Sequence, residues 1–211
     1  MFLRPAAPAL LVCTLLAAAQ AAATGVAVQV QDASGKVLPD TIIFAEQDGG
    51  ATPKPLRGGE IEQKNLKFQP LVTVVQTGSK IAFPNNDKVR HHIYSFSPVH
   101  KFDQKLYSGT SAAPQLFDKA GIVVLGCNIH DKMVAYVKIV DTPYFAKTDG
   151  SGAARIELPP GKYVLKAWHF NTVGGLTPEQ NIVVAPGDAL SSAVFKLPMK
   201  PPAPDADAPG Y

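Results

Sequence analysis

The amino-acid sequence predicts an all-β protein, a sandwich or barrel of short strands. Three observations carry this. Apolar, β-branched runs recur at a spacing of about ten residues. Gly, Pro, Asp and Asn lie between them, with 19 prolines and 17 glycines in 211 residues. Beyond the first 23 residues, no stretch sustains apolar residues at i, i+3, i+4 and i+7 through three helical turns.

Residues 1–23 stand apart. Arg4 gives a positive start, the run PALLVCTLLAAAQAAA follows, and the small residues Ala21, Ala22 and Ala23 close it. This is the pattern of a cleaved secretory signal, with the mature chain starting near Thr24. An uncleaved anchor is the competing reading, and the run is short and alanine-rich for a span. A lipid attachment at Cys13 fits less well, because Val12 stands where a small residue belongs and the apolar run continues past it. No other segment approaches the length of a membrane span.

The strands then follow in order. VAVQVQD is closed by the turn ASGK, TIIFAE by QDGG, and LVTVVQ by TGSK. KIAF, HHIYSFS, GIVVLG, MVAYVKIV, ARIEL, KYVLKAW, NIVVA and SAVFKL complete the set. Three regions are expected: 24–57 with two strands and a Gly/Pro-rich loop, 58–141 with all the metal-like chemistry, and a second β unit over 142–198. The Pro-, Ala- and Asp-rich tail 199–211 buries too little apolar surface to offset its ordering and is expected to be disordered.

The formal charge of +3 is too small to imply nucleic-acid binding, and the lysines are spread along the chain with no basic stripe, so no nucleic-acid partner is expected. Cysteine usage says more. Loss of residues 1–23 removes Cys13 and leaves Cys127 alone, with no partner for an internal disulfide. A lone thiol in an oxidising compartment is a liability unless it is buried or used.

Its neighbours point to use. GIVVLGCNIHDKM holds Cys127, His130 and Met133 in a C-x2-H-x2-M pattern, and FPNNDKVRHHIYSFS holds His91 and His92. Imidazole, thiolate and thioether together form a soft-to-borderline donor set suited to copper in both oxidation states. Three of the donors share one loop between two strands, IVVLG and VAYVKIV. The fourth comes from another strand. Neighbours on a strand face opposite sides, so only one of His91 and His92 is expected at the metal.

The copper segment resembles the cupredoxin family. The C-x2-H-x2-M spacing is similar to that of amicyanin, and FPNNDKVRHHI resembles the plastocyanin stretch in which an N-N pair precedes a histidine ligand. Chains sharing H-H-I-Y-S-F-S, G-C-N-I-H-D and D-T-P-Y-F-A resemble the methylamine-utilisation or plastocyanin-like group. The resemblance covers about 80 residues. It implies an eight-stranded Greek-key barrel and one type 1 copper, held by His91, Cys127, His130 and Met133. It also implies periplasmic electron transfer with a dehydrogenase, c-type cytochrome or oxidase. His92 then stands where those families carry Asn, and Asn85 is expected to tether the ligand loop. His100 and His169 match no ligand spacing.

The segments TDGSG and LPPGKYVLKAW resemble carboxypeptidase regulatory-like units of immunoglobulin type. Such a unit opens with a strand, a D-x-x-G turn and a second strand. These are missing before residue 142 but present as VQVQDASGKVLPDTIIFAE. Insertion of the copper region into one sandwich is therefore one reading, and separate sequential domains the other.

An electron carrier is the leading function. Copper storage or delivery is the alternative, since the same ligands serve, although the chain has no Met- or His-rich tract. An enzyme is disfavoured: multicopper oxidases and nitrite reductases need further histidines in H-x-H and H-C-H arrangements, which this chain lacks.

Overall fold

The structure, a computed structural model, describes residues 24–47, 58–108, 113–187 and 190–201. The expected signal segment 1–23, the loop 48–57 and residues 202–211 of the expected tail lie outside the described residues. Among the described residues the fold is all-β, with one 3-10 turn at Val173–Gly175.

In chain order the strands are β1 (Gly25–Asp32), β2 (Ile42–Glu46), β3 (Gly59–Glu60), β4 (Glu62–Lys64), β5 (Lys67–Gln69) and β6 (Val72–Gln76). Then come β7 (Ser79–Ala82), β8 (His91–Ser95), β9 (Phe102–Tyr107), β10 (Gln115–Phe117), β11 (Gly121–Gly126) and β12 (Val134–Val140). The last five are β13 (Phe145–Lys147), β14 (Ala153–Glu157), β15 (Gly161–Trp168), β16 (Glu179–Val184) and β17 (Ser191–Leu197).

Two sheets join the beginning of the chain to its end. β1 lies between β14, antiparallel, and β17, parallel, in register from Val26↔Ser191 to Asp32↔Leu197. β2 lies between β13 and β15 and is antiparallel to both, and β16 closes that sheet. Their inward faces form one core of Val26, Val28, Val30, Ile43, Leu165 and Phe195. Period-2 patterning explains the facing: on β17 Ala193, Phe195 and Leu197 are buried while Val194 and Lys196 point out. The chain between β2 and β13 forms other sheets.

Two turns of this sandwich are built alike. Asp32 Oδ1 accepts from the N–H of Ser34 and Lys36, and Asp149 Oδ1 from the N–H of Ser151 and Ala153. Gly152 stands at φ +73, and a Cβ there would meet the Val30 carbonyl at 2.6 Å. Only glycine fits that approach.

The copper-like region makes a three-stranded sheet, β10–β7–β3, and a five-stranded one, β6–β12–β11–β8–β9. Between them lies a second core of Ile61, Phe83, Ile93, Phe117, Val123 and Leu125, to which the β4–β5 hairpin adds Phe68. A third cluster, Ile42, Phe44, Val72, Val140 and Trp168, joins the two cores. Each large apolar side chain buried there contributes about 1.5–3 kcal/mol. Tyr136 stacks on Phe170 across this junction at 4.6 Å.

Expected disorder beginning at residue 199 is corrected at its first residues. Met199 bridges Thr172, and the Lys200 N–H donates to the Asn171 carbonyl. Backbone pairing orders a stretch that composition alone assigns to solvent.

Candidate metal centre

β11 and β12 are adjacent antiparallel strands that end on the pair Gly126↔Val134. The loop between them, residues 127–133, carries Cys127, His130 and Met133. The Met133 N–H donates to the His130 carbonyl at 2.9 Å, closing a turn inside the loop. β8 flanks β11, with Tyr94 opposite Gly126. A Cβ on Gly126 would lie 2.7 Å from the Tyr94 ring, so glycine here lets the two strands meet just before the cysteine.

Strand alternation decides between the adjacent histidines. His91, Ile93 and Ser95 are buried, whereas His92 and Tyr94 sit on the outer face. His91 Nδ1 stands 3.9 Å from Cys127 Sγ, and His130 Nδ1 stands 3.7 Å from the same sulfur. The two rings are 4.9 Å apart, edge to face. The His91, Cys127 and His130 donor atoms all lie within 4.8 Å of one another.

These separations fit a shared ion. First-row metal bonds of about 2.0 Å to nitrogen and 2.3 Å to sulfur, at trigonal angles, hold nitrogen and sulfur about 3.7 Å apart. Cys127 and Met133 are both buried and line one cleft of about 300 Å³ with Tyr94 and Phe96. His130 is half-buried, beside exposed Ile129. Thiolate, two imidazoles and an adjoining thioether are the donor chemistry of one type 1 copper, and the residues fit it.

The other candidates lie elsewhere. His92 Nε2 bonds the Asp103 carboxylate on the outer face. His100 packs between Phe102 and Phe117. His169 stacks on Phe170, its Nδ1 accepts the Asn171 N–H at 3.0 Å, and burial pushes its pKa down.

Asn85 is buried, and its hydrogen bonds go to backbone beside His91, at Val89 and at Tyr107, the residue opposite His91 on β9. Its Nδ2 donates to the Val89 and Tyr107 carbonyls, both at 2.9 Å, and its Oδ1 accepts the Asp87 N–H. The group on His91 is Asp87, whose Oδ2 lies 3.1 Å from Nε2. The Leu66 N–H and, next, His91 hold the Asp87 carboxyl below the usual carboxylate range. The sequence signal for this contact is the D-x-x-x-H spacing in NNDKVRH.

No family model matches the chain. No curated protein matches it either. Solved structures do. A purple cupredoxin from Nitrosopumilus maritimus is 19% identical over 38% of this chain and 98% of its own, with a TM-score of 0.35. A reduced, Cu(I) form of an amicyanin variant is 15% identical over 46% of this chain and 98% of its own, with a TM-score of 0.36. A copper-containing nitrite reductase from Thermus scotoductus is 21% identical over 44% of this chain and 24% of its own, with a TM-score of 0.37.

Proposed function

We propose that this protein is a type 1 copper protein of the cupredoxin kind that carries single electrons between periplasmic redox proteins, with His91, Cys127, His130 and Met133 as ligands. One observation carries the reading: two imidazole Nδ1 atoms stand 3.7 and 3.9 Å from one buried thiol sulfur.

Copper supplies a one-electron couple between Cu(I) and Cu(II). The protein supplies a fixed frame for it. Cys127 leaves β11 and Met133 enters β12, so a paired ladder pins both ends of the ligand loop. His91 is held from behind by Asp87. A frame that cannot relax to suit either oxidation state keeps the rearrangement on electron transfer small. The half-buried His130 ring, next to exposed Ile129, offers an edge for a partner, while Cys127 stays out of water.

The partner would be a dehydrogenase, a c-type cytochrome or an oxidase, reached after export through residues 1–23. Among the described residues no helix is long and apolar enough to cross a membrane. A carrier role, in place of catalysis, is supported by the histidine inventory. Of the chain's five, His92, His100 and His169 are engaged away from the centre.

Copper titration of the chain lacking residues 1–23 tests this. Cu(II) should give an intense thiolate-to-copper charge-transfer band that bleaches and returns on reduction and reoxidation. Cys127→Ser should abolish the band and His92→Ala should leave it. A colourless site that accepts Cu(I) alone would favour copper delivery and refute the carrier.

A further inference from the structure

His91 offers one ring nitrogen to Cys127 and the other to a carboxylate. Nε2 lies 3.1 Å from Asp87 Oδ2, with the ring fully buried. An ionised carboxylate only accepts hydrogen bonds, so Nε2 carries the hydrogen of this one, and of the two uncharged tautomers the bond favours the one with its lone pair on Nδ1. That nitrogen faces Cys127 Sγ at 3.9 Å.

Asp87 is itself anchored from three sides. The Leu66 N–H donates to the same Oδ2 at 2.8 Å, the Lys88 N–H donates to Oδ1 at 3.0 Å, and the Asp87 N–H donates to Asn85 Oδ1. Leu66 reaches it from the tip of the β4–β5 hairpin. Asn65 and Leu66 are both left-handed there, at φ 54 and 57, the conformation of a type I′ turn. A leucine rarely adopts it, and here it aims the N–H at the carboxylate.

We propose that Asp87 is the positioning residue of the centre: seated by the Asn65–Leu66 turn, it selects the His91 tautomer whose Nδ1 lone pair faces Cys127. The consequence for copper rests on the reading above, whereas the tautomer does not.

The test uses the full chain lacking residues 1–23. In the copper-free wild type, nitrogen-15 imidazole NMR should show His91 protonated on Nε2, and Asp87→Ala should turn it into a tautomer mixture. Copper affinity should fall about 10–100-fold in that variant. Asp103→Ala, which strips the equivalent carboxylate from His92 on the opposite face, should change neither. Asp87→Asn keeps the side chain's size should the alanine variant not fold. It should raise the copper reduction potential, because losing a nearby negative charge disfavours Cu(II) more than Cu(I). Wild-type His91 protonated on Nδ1 would overturn the proposal, as would folded Asp87 variants with wild-type tautomer and potential. If the wild type shows no charge-transfer band, the copper assignment fails and the NMR still decides the role of Asp87.

Discussion

Replacing Gly126 with alanine probes the packing that sets the cysteine in place. An ideal Cβ at 126 would stand 2.7 Å from both Cζ and Oη of Tyr94 and 3.1 Å from Cε2. Carbon atoms pack at about 3.5–4.0 Å, so the ring must retreat by about 1 Å. It is the far end of a half-buried side chain beside an open cleft, so it can swing and the backbone can stay. Overpacking of this kind costs about 1–3 kcal/mol. Alanine gives back about 0.4–1 kcal/mol by restricting the unfolded chain. Mid-range values leave a net loss of about 1.3 kcal/mol, and the limits run from about 0 to 2.6 kcal/mol; at a urea slope of about 1–3 kcal/mol/M the mid-range loss lowers the midpoint by about 0.4–1.3 M. The Tyr94→Ala background removes the clash, and there Gly126→Ala should be neutral or stabilising by about 0.4–1 kcal/mol. If Gly126→Ala costs the same in both backgrounds, the clash with Tyr94 is not the cause and the reasoning is wrong.

A chain ending at residue 141 removes β13 to β17, every strand that pairs with β1 and β2. We propose that residues 25–46 and 142–198 form one folding unit, so this truncation should lose cooperative unfolding in calorimetry; a sharp transition would show that 24–141 folds by itself. Tyr107 gives a pH test. Burial pushes its pKa up to about 12, above the value of about 10 in the unfolded chain. The folded state therefore holds the proton more tightly. The stabilisation is complete below about pH 10 and disappears as pH rises to about 12. Tyr107→Phe should be less stable at neutral pH, because the hydroxyl bonds the Phe83 carbonyl and Gln63. It should also lose the alkaline slope in denaturant midpoints; an unchanged slope would refute the assignment.

Local sequence marks the strands and a donor set suited to copper. Alternating runs such as SSAVFKL carry their own buried and exposed faces. The C-x2-H-x2-M loop needed only local spacing, because a loop between adjacent antiparallel strands brings its own ends together. Tertiary structure decided whatever depends on strand phase and distant pairing. Strand alternation in HHIYS puts only one of the two histidines inward, the resemblance implies His91, and the burial of His91 with Ile93 and Ser95 fixes the phase of the strand. Local pattern does not mark Asp87, four residues away, because its place is set by a bond to Leu66 across 21 positions. The pairing of β1 with β17 joins residues over 160 positions apart. Local pattern marks each strand as needing partners, but which partners it finds is set by the burial that the whole chain achieves together.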